Sequence, residues 1–227
     1  MNKLDLIEDL PNGMKISFIN FLFKVDYDNI YLGLLYNNLS LSESITEIKY
    51  KNHIKADENT KIHKNIVKKK LRFFSNCITI KIKNNKKIFP IKLFKNGKGM
   101  ILNCQDQADF HIIFEIIKQI IFKNLGRNIN LLNFEPCFII YLLETEPIEL
   151  KNMEQYKKHN SSLRFGISSN IYKIDGTNII IFKNGKILII NPRNKEKLIK
   201  IYDAISPFLK IKKNNRIKNI DDLVIYI

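Results

Sequence analysis

The segment Phe94-Lys95-Asn96-Gly97-Lys98 recurs, residue for residue, as Phe182-Lys183-Asn184-Gly185-Lys186, an offset of 182 − 94 = 88 positions. Each copy has an apolar run on either side. Asn-Gly between two apolar runs is typical of a tight β-hairpin turn. Because self-similarity at a fixed spacing indicates repeated structural units, we predict two copies of one β-hairpin.

An amphipathic helix is predicted after each hairpin. Apolar residues recur three or four positions apart from Phe110 onward and again from Leu198 onward, and these two residues are also 88 apart. Upstream, Leu71-Arg72-Phe73 parallels Leu163-Arg164-Phe165 at an offset of 92, so the first copy has 92 − 88 = 4 extra residues. We place them within 81–87, where Asn84-Asn85 marks a turn.

Each repeat is therefore predicted to run strand, short helix, several antiparallel strands, long helix. The opening strands are 20–25 and 137–143, and the short helices are 32–39 and 148–156. The first repeat covers 11–126 with a basic insertion at about 49–70, the second covers 128–212, and 213–227 is a tail. Joining two half-sheets covers an exposed edge of each. The predicted fold is α+β: two tandem repeats forming one saddle-shaped, curved antiparallel sheet with helices on its convex face.

The strands of the second hairpin are apolar on both faces. Ile179-Ile180-Ile181-Phe182 and Ile187-Leu188-Ile189-Ile190 do not alternate with polar residues, as strands with one solvated face do. A sandwich would bury the second face, but the segments left to form another layer, 49–70 and the tail, are polar. We therefore predict that the face away from the helices binds a partner.

The composition limits the class of protein. A chain of 227 residues, 45% of them apolar, can bury a substantial core, and a net charge of +16 attracts it to polyanions. An A+T-rich genome that inflates Lys, Asn and Ile explains the charge equally well.

The three cysteines lie far apart in apolar runs, which favours a reducing intracellular compartment. No run approaches the ~18 apolar residues of a membrane span, so no membrane association is expected.

Catalytic and metal-binding patterns are missing from the sequence. The four histidines are scattered without Cys or carboxylate partners at metal spacing, and no phosphate-binding loop, nucleophile elbow or zinc-protease motif occurs. We expect no enzyme activity, metal, cofactor or small-molecule substrate.

These motifs, in this order, resemble the TATA-binding protein family, whose core is two such repeats. Residues 180–186 followed by 201–209 are similar to the family's second-repeat signature, and Pro147-Ile148-Glu149-Leu150 to its entry into the second short helix. The resemblance runs from about residue 20 to residue 209. With its A+T-biased composition and short, divergent repeats, the chain looks like the divergent relatives found among large DNA viruses of eukaryotes.

The resemblance implies that two phenylalanines per repeat wedge between base pairs and kink the duplex. By position these are Phe73, or its neighbour Phe74, with Phe94 in the first repeat, and Phe165 with Phe182 in the second. Phenylalanines in strands ordinarily belong to the core. The matching positions in two repeats favour the wedge interpretation.

Further contacts follow from the resemblance and from strand alternation. Residues facing the minor groove are Asn20, Leu22, Lys92, Met100 and Leu102 in the first repeat, and Cys137, Ile139, Asn178, Ile180, Leu188 and Ile190 in the second. Residues placed to meet phosphates beside the kinks are Lys70, Arg72, Lys95, Lys98, Arg164, Lys183 and Lys186. A lysine near a turn is otherwise simply solvated.

Several departures weaken base discrimination. Cys137 stands where the second repeat's asparagine is expected, and Leu102 and Ile190 stand where the family has threonines. Asn103 and Asn191 replace a glycine, which asparagine can do because it tolerates positive φ. Fewer groove-facing polar groups leave DNA binding better supported than a preference for a TATA sequence.

The function implied is that of a transcription initiation factor. It would bind and bend A+T-rich double-stranded promoter DNA through the minor groove and recruit a TFIIB-like factor and RNA polymerase, in a nucleus or a cytoplasmic viral factory. The alternative is an interaction module of the transcription machinery that has the same fold but little specific DNA binding. A nucleic-acid enzyme carrying one such unit would need a catalytic domain that the sequence does not offer.

Overall fold

The computed structural model describes residues 9–56, 76–147, 169–192 and 194–209, without the side chains of Ser169, Asn170 and Phe208. The strands are β1 Met14–Val25, β2 Ile45–Tyr50, β3 His53–Ala56, β4 Cys77–Asn84, β5 Lys87–Phe94, β6 Lys98–Cys104, β7 Leu131–Glu144, β8 Ser169–Ile174, β9 Thr177–Phe182 and β10 Lys186–Ile190. The helices are α1 Leu32–Asn38, α2 Gln107–Leu125 and α3 Lys195–Ile205, the last followed by a 3-10 turn, Ser206–Phe208.

The strands form one open antiparallel sheet in the order β3-β2-β4-β5-β6-β1-β7-β10-β9-β8. Unit 1 of the chain comprises 16–140, and unit 2 comprises 9–15 together with 141–209. The division falls within β7. The repeat boundaries expected at 126–128 remain a prediction.

Unit 1 builds its core between one sheet face and α2. Phe110 stacks on Phe134 with ring centroids 4.5 Å apart, and Phe23 meets Phe114 edge to face at 5.4 Å. A side chain on Gly99 would lie 2.1 Å from the Phe23 ring, so this glycine makes the space that the ring occupies. The helix begins at an Asp106 cap, whose carboxylate accepts from Asp109 N–H at 2.8 Å, and ends at Gly126 with φ 64°.

Unit 2 repeats this plan, and the residues that its helix buries are aliphatic. Helix α3 buries Leu198, Ile201 and Ile205, and its cap is Asn194, whose side chain accepts from Lys197 N–H at 2.9 Å. The core strands of this unit, β9 and β10, are almost wholly buried. Both predicted amphipathic helices are therefore confirmed.

The two Asn-Gly hairpin turns are equivalent bond for bond. In each, the glycine N–H donates to the carbonyl of the phenylalanine three positions earlier, at 3.1 Å for Gly97 and 3.0 Å for Gly185. The asparagine side chain accepts from the lysine N–H two positions later at 3.2 Å in both turns. The predicted hairpin repeat is confirmed.

The four extra residues of the first repeat lengthen one hairpin. Strands β4 and β5 pair over eight positions around the turn after Asn84, whereas β8 and β9 pair over six around Asp175-Gly176. Each strand of the first copy thus gains two residues, 83–84 on β4 and 87–88 on β5, and all of these except residue 88 fall in the predicted segment 81–87.

Residues 49–56, which belong to the segment predicted as a basic insertion, extend the sheet as the end of β2 and as β3. Strand β3 lies at the sheet edge, where pairing on one side suffices and a polar sequence is tolerated. The rest of that insertion, the second short helix at 148–156 and the tail lie outside the described residues.

Candidate nucleic-acid interface

The face of unit 1 opposite the helix-packed face carries four side chains in one row across the strands. Leu22 pairs with Met100, Met100 with Lys92, and Lys92 with Thr79. Directly opposed residues of antiparallel strands point to the same side of a sheet. All four are half-buried, and we call this set the unit 1 row.

The matching row of unit 2 differs in chemistry and in exposure. Leu188 pairs with Ile180, and Ile180 with Ile171. Counted from the equivalent turns, these residues correspond to Met100, Lys92 and Thr79. Ile180 and Leu188 are each only 1% exposed. We call these three residues the unit 2 row.

Two of the predicted wedge phenylalanines are described. Phe94 and Phe182 end β5 and β9 immediately before the equivalent turns, and both are half-buried. Phe182 shares its sheet face with Ile180, two positions away on one strand. Phe73, Phe74 and Phe165 lie outside the described residues.

The lysines of the turns are accessible. Lys95, Lys98 and Lys183 are exposed and Lys186 is half-buried, so a positive charge follows each wedge candidate directly. Lys98 pairs in register with Lys24, whose ammonium group contacts Asp28 and the carbonyl of Asn96. The other phosphate-contact candidates, Lys70, Arg72 and Arg164, are outside the described residues.

Asn20 has a structural partner. Its Oδ1 accepts from the N–H of Asn103 at 3.2 Å, across an irregularity in the β1–β6 pairing between Ile19 and Phe21. Asn103 has φ 66° and Asn191 has φ 49°, so the prediction that both asparagines adopt positive φ is confirmed. One polar group expected to meet a base edge therefore helps to hold a β-bulge.

The hydrogen bonds of the turns also fix how the opening strands correspond. Val25 N–H donates to Gly97 O at 3.0 Å, and Thr145 N–H donates to Gly185 O at 2.9 Å. Since the two glycines are equivalent, Val25 corresponds to Thr145, an offset of 145 − 25 = 120.

This offset differs from the 137 − 20 = 117 that aligned Asn20 with Cys137. Ile140 takes the position of Asn20, and Ile139 takes that of Ile19, with Ile139, Ile140 and Ile19 all buried. Cys137 is half-buried and its thiol donates to the carbonyl of Asn20 at 3.2 Å. DNA contacts by Cys137 and Ile139 stay predictions, and they no longer follow from equivalence with Asn20.

A carboxylate on the open face of unit 1 had no signal in the sequence. Glu47 is buried, and its Oε1 lies 2.8 Å from Lys49 Nζ and 3.2 Å from Lys81 Nζ. By strand pairing these residues share the face of the unit 1 row. The Glu47 carboxylate neutralises part of the positive charge of Lys49 and Lys81, and it therefore weakens their attraction to a polyanion.

Of the three cysteines in unit 1, Cys77 and Cys104 are buried and Cys137 is half-buried. Burial raises the pKa of the Cys77 thiol, an effect partly offset by the Thr79 side chain and the Lys92 charge. Burial also raises the pKa of Cys104 to about 12.

The described residues contain no group of three or more His, Cys, Asp or Glu side chains suited to a metal ion. In the same part of the chain, no helix is long and apolar enough to cross a bilayer.

Among solved structures, the chain is similar to Methanococcus jannaschii TBP, with a TM-score of 0.52 and 18% sequence identity over 86% of this chain and 98% of that chain. No protein-family model matches it, and no curated protein matches it in sequence. Similarity at this identity establishes the fold. The chain has a TBP-like α+β fold, as its repeats predicted.

Proposed function

We propose that this chain, which has the fold of the TATA-binding protein, is a transcription initiation factor that binds and bends double-stranded DNA through the minor groove. The observation that carries the proposal is the equivalence of Phe94 and Phe182. Both are half-buried, end a strand, and precede turns with identical hydrogen bonds. Two rigid apolar side chains in matching positions suit insertion between base steps at two ends of one bent site.

The open face of unit 1 supports contact with a groove floor. Leu22, Met100 and Leu102 are partly exposed on a surface that an ordinary antiparallel sheet would fill with polar residues. Contact with the sugar edges and base edges of a widened minor groove would remove this apolar area from water. At ~25 cal/mol per Å2, even 100 Å2 of such burial contributes roughly 2.5 kcal/mol.

The charge supports a polyanionic partner. Lys95 and Lys183 follow the two wedge candidates directly and are exposed, and the whole chain has a net charge of +16. Each lysine that neutralises a phosphate releases a counterion, so affinity should fall steeply with salt. These contacts position the duplex without reading its sequence.

Base discrimination is expected to be weak. The Oδ1 of Asn20 is engaged with Asn103, and Leu102 and Ile190 offer the groove no hydrogen bond. Minor-groove readout depends on such groups and on the shape and deformability of the duplex. We therefore propose a preference for easily bent, A+T-rich DNA without a strict consensus, and recruitment of a TFIIB-like factor and RNA polymerase to it.

The burial of the unit 2 row favours a second candidate function. Ile180 and Leu188, at 1% exposure each, cannot touch DNA unless their surroundings rearrange. A protein-interaction module of the transcription machinery, with only charge-driven DNA affinity, is consistent with that burial. The two functions differ in whether the wedge phenylalanines matter for DNA binding.

The deciding experiment measures binding and bending of short duplexes, A+T-rich against G+C-rich, by fluorescence transfer between the duplex ends. The Phe94→Ala/Phe182→Ala variant is compared with Phe122→Ala, because Phe122 is a 56% exposed phenylalanine of α2. Urea unfolding checks that each variant is folded.

We expect the double variant to lose the bend and about 100-fold in affinity, since the apolar burial lost with each phenylalanine is worth roughly 1.5 kcal/mol, and each 1.4 kcal/mol is about tenfold in affinity. The Phe122→Ala control should bind as the wild type does. Weak, sequence-independent binding that the double variant retains would reject minor-groove bending and leave the interaction module.

A further inference from the structure

Lys92 occupies the centre of the unit 1 row, on the open face of the sheet. Its neighbours in register are Thr79 on β4 and Met100 on β6. It is half-buried, and within the described residues its side chain forms no ion pair and no hydrogen bond. The ammonium group is close enough to influence Cys77, at the edge of the same face.

In unit 2, the position equivalent to Lys92 carries no charge. The equivalent of Lys92 is Ile180, which pairs with Leu188 and Ile171 in a wholly apolar row. The other residues around the two hairpin turns are closely matched, including the wedge candidates and the turn lysines. The Lys92–Ile180 difference is therefore a central chemical asymmetry between the two rows, which also differ in exposure.

We propose that Lys92 sets the orientation of the protein on DNA by selecting A·T pairs under unit 1. This inference rests on the proposed minor-groove function. A lysine ammonium carries three hydrogen-bond donors and no acceptor. In the minor groove an A·T pair presents only acceptors, whereas a G·C pair adds the guanine amino donor. Lys92 favours the first and opposes the second, while Ile180 cannot hydrogen-bond to either.

A protein with two similar repeats can bind one site in two opposite orientations. A groove-floor cation in only one unit makes those orientations unequal whenever the two halves of the site differ in G·C content. Loss of one such contact changes the ratio of orientations by about tenfold, the typical effect of one unfavourable base pair.

The test uses a palindromic A·T site and the same site with one G·C pair in one half. Each duplex carries an acceptor dye at one end, and the protein carries a donor dye on α3 through Ile199→Cys in a Cys137→Ser background. Ile199 is exposed, and the remaining thiols, Cys77 and Cys104, are buried. The transfer efficiency between α3 and the labelled end of the duplex then reports the orientation of the protein.

On the substituted duplex we expect the wild type to prefer, about tenfold, the orientation with unit 1 over the unbroken A·T half. Lys92→Met should abolish this preference, and Lys92→Arg should retain it. Lys123→Met, which removes an exposed lysine from α2, should leave it unchanged.

Four outcomes would overturn the inference. An unbiased wild type that still binds and bends DNA would refute the role of Lys92 and leave the proposed function intact. A bias that persists in Lys92→Met would also refute it, as would an equal loss of affinity on both duplexes, which indicates a phosphate contact. A wild type that does not bind DNA at all would remove both the proposed function and this inference.

Discussion

The glycines of the two Asn-Gly turns do more than permit positive φ, and this can be measured. Gly185 has φ 85°, and a Cβ placed on it would lie 2.0 Å from the carbonyl oxygen of Thr145. Gly97 has φ 74°, and its Cβ would lie 2.3 Å from the carbonyl oxygen of Tyr27. Each turn therefore packs against the backbone after the opening strand of its own repeat, at a distance that only glycine allows.

The cost of Gly185→Ala has two parts. Positive φ costs a non-glycine residue roughly 1–2 kcal/mol. A carbon–oxygen contact of about 3.3 Å also requires the turn to move by more than about 1 Å. That movement breaks the 2.9 Å hydrogen bond from Thr145 N–H to Gly185 O, which contributes about 0.5–1.5 kcal/mol. The expected loss of unfolding free energy is about 1.5–3.5 kcal/mol, and the same reasoning applies to Gly97→Ala.

Gly176 and Gly126 are matched controls, because their φ angles are 80° and 64° and a Cβ at either position would have no atom within 4 Å. Gly176→Ala and Gly126→Ala should cost only the roughly 1–2 kcal/mol of the backbone conformation. Urea unfolding of the four variants measures the difference. If Gly185→Ala and Gly97→Ala were no less stable than the controls, the turns would not pack as described.

Three further predictions concern stability and reactivity. The Asn130 backbone and side-chain N–H groups donate hydrogen bonds to the Asp26 carboxylate and lower its pKa. The stability that these bonds give the folded state is complete above the unfolded pKa of ~3.9, and it is lost as the pH falls through the lower pKa of the folded state. Acid titration of unfolding free energy should accordingly show a shallower decline for Asp26→Asn than for the wild type. Asn20→Ala should lower the free energy of unfolding in urea by about 1 kcal/mol, because Asn103 N–H loses its acceptor. Because Asn103 has a positive φ, Asn103→Gly should be tolerated and Asn103→Ala should lower the free energy of unfolding by roughly 1–2 kcal/mol. With a thiol reagent at pH 8, half-buried Cys137 should react fastest, because Cys77 and Cys104 are buried and have raised pKa values; a fast phase that survives Cys137→Ser would contradict this order.

The features that were predictable from sequence are those anchored by a turn. Once Asn96-Gly97 and Asn184-Gly185 fix the hairpins, counting along β9 and β10 determines which side chains share a face. The register bears this out for Leu188 opposite Ile180. The long helices were predictable for a related reason, since Phe110 and Leu198 begin strongly periodic segments at the same distance from those turns.

The features that were not predictable lack such an anchor. The apolar run of β7 from Phe138 to Leu143 is uniform, so its composition fixes neither its phase nor its alignment with β1. The offset of 120 comes from a hydrogen bond between residues far apart in sequence, Thr145 and Gly185, and by that offset Ile140, three positions after Cys137, corresponds to Asn20. A polar edge strand such as β3 has no apolar periodicity to detect. Sequence comparison thus identified the repeat reliably where local turn chemistry determines the position of each residue. It was a poor guide to single residues whose position is determined only by long-range strand pairing.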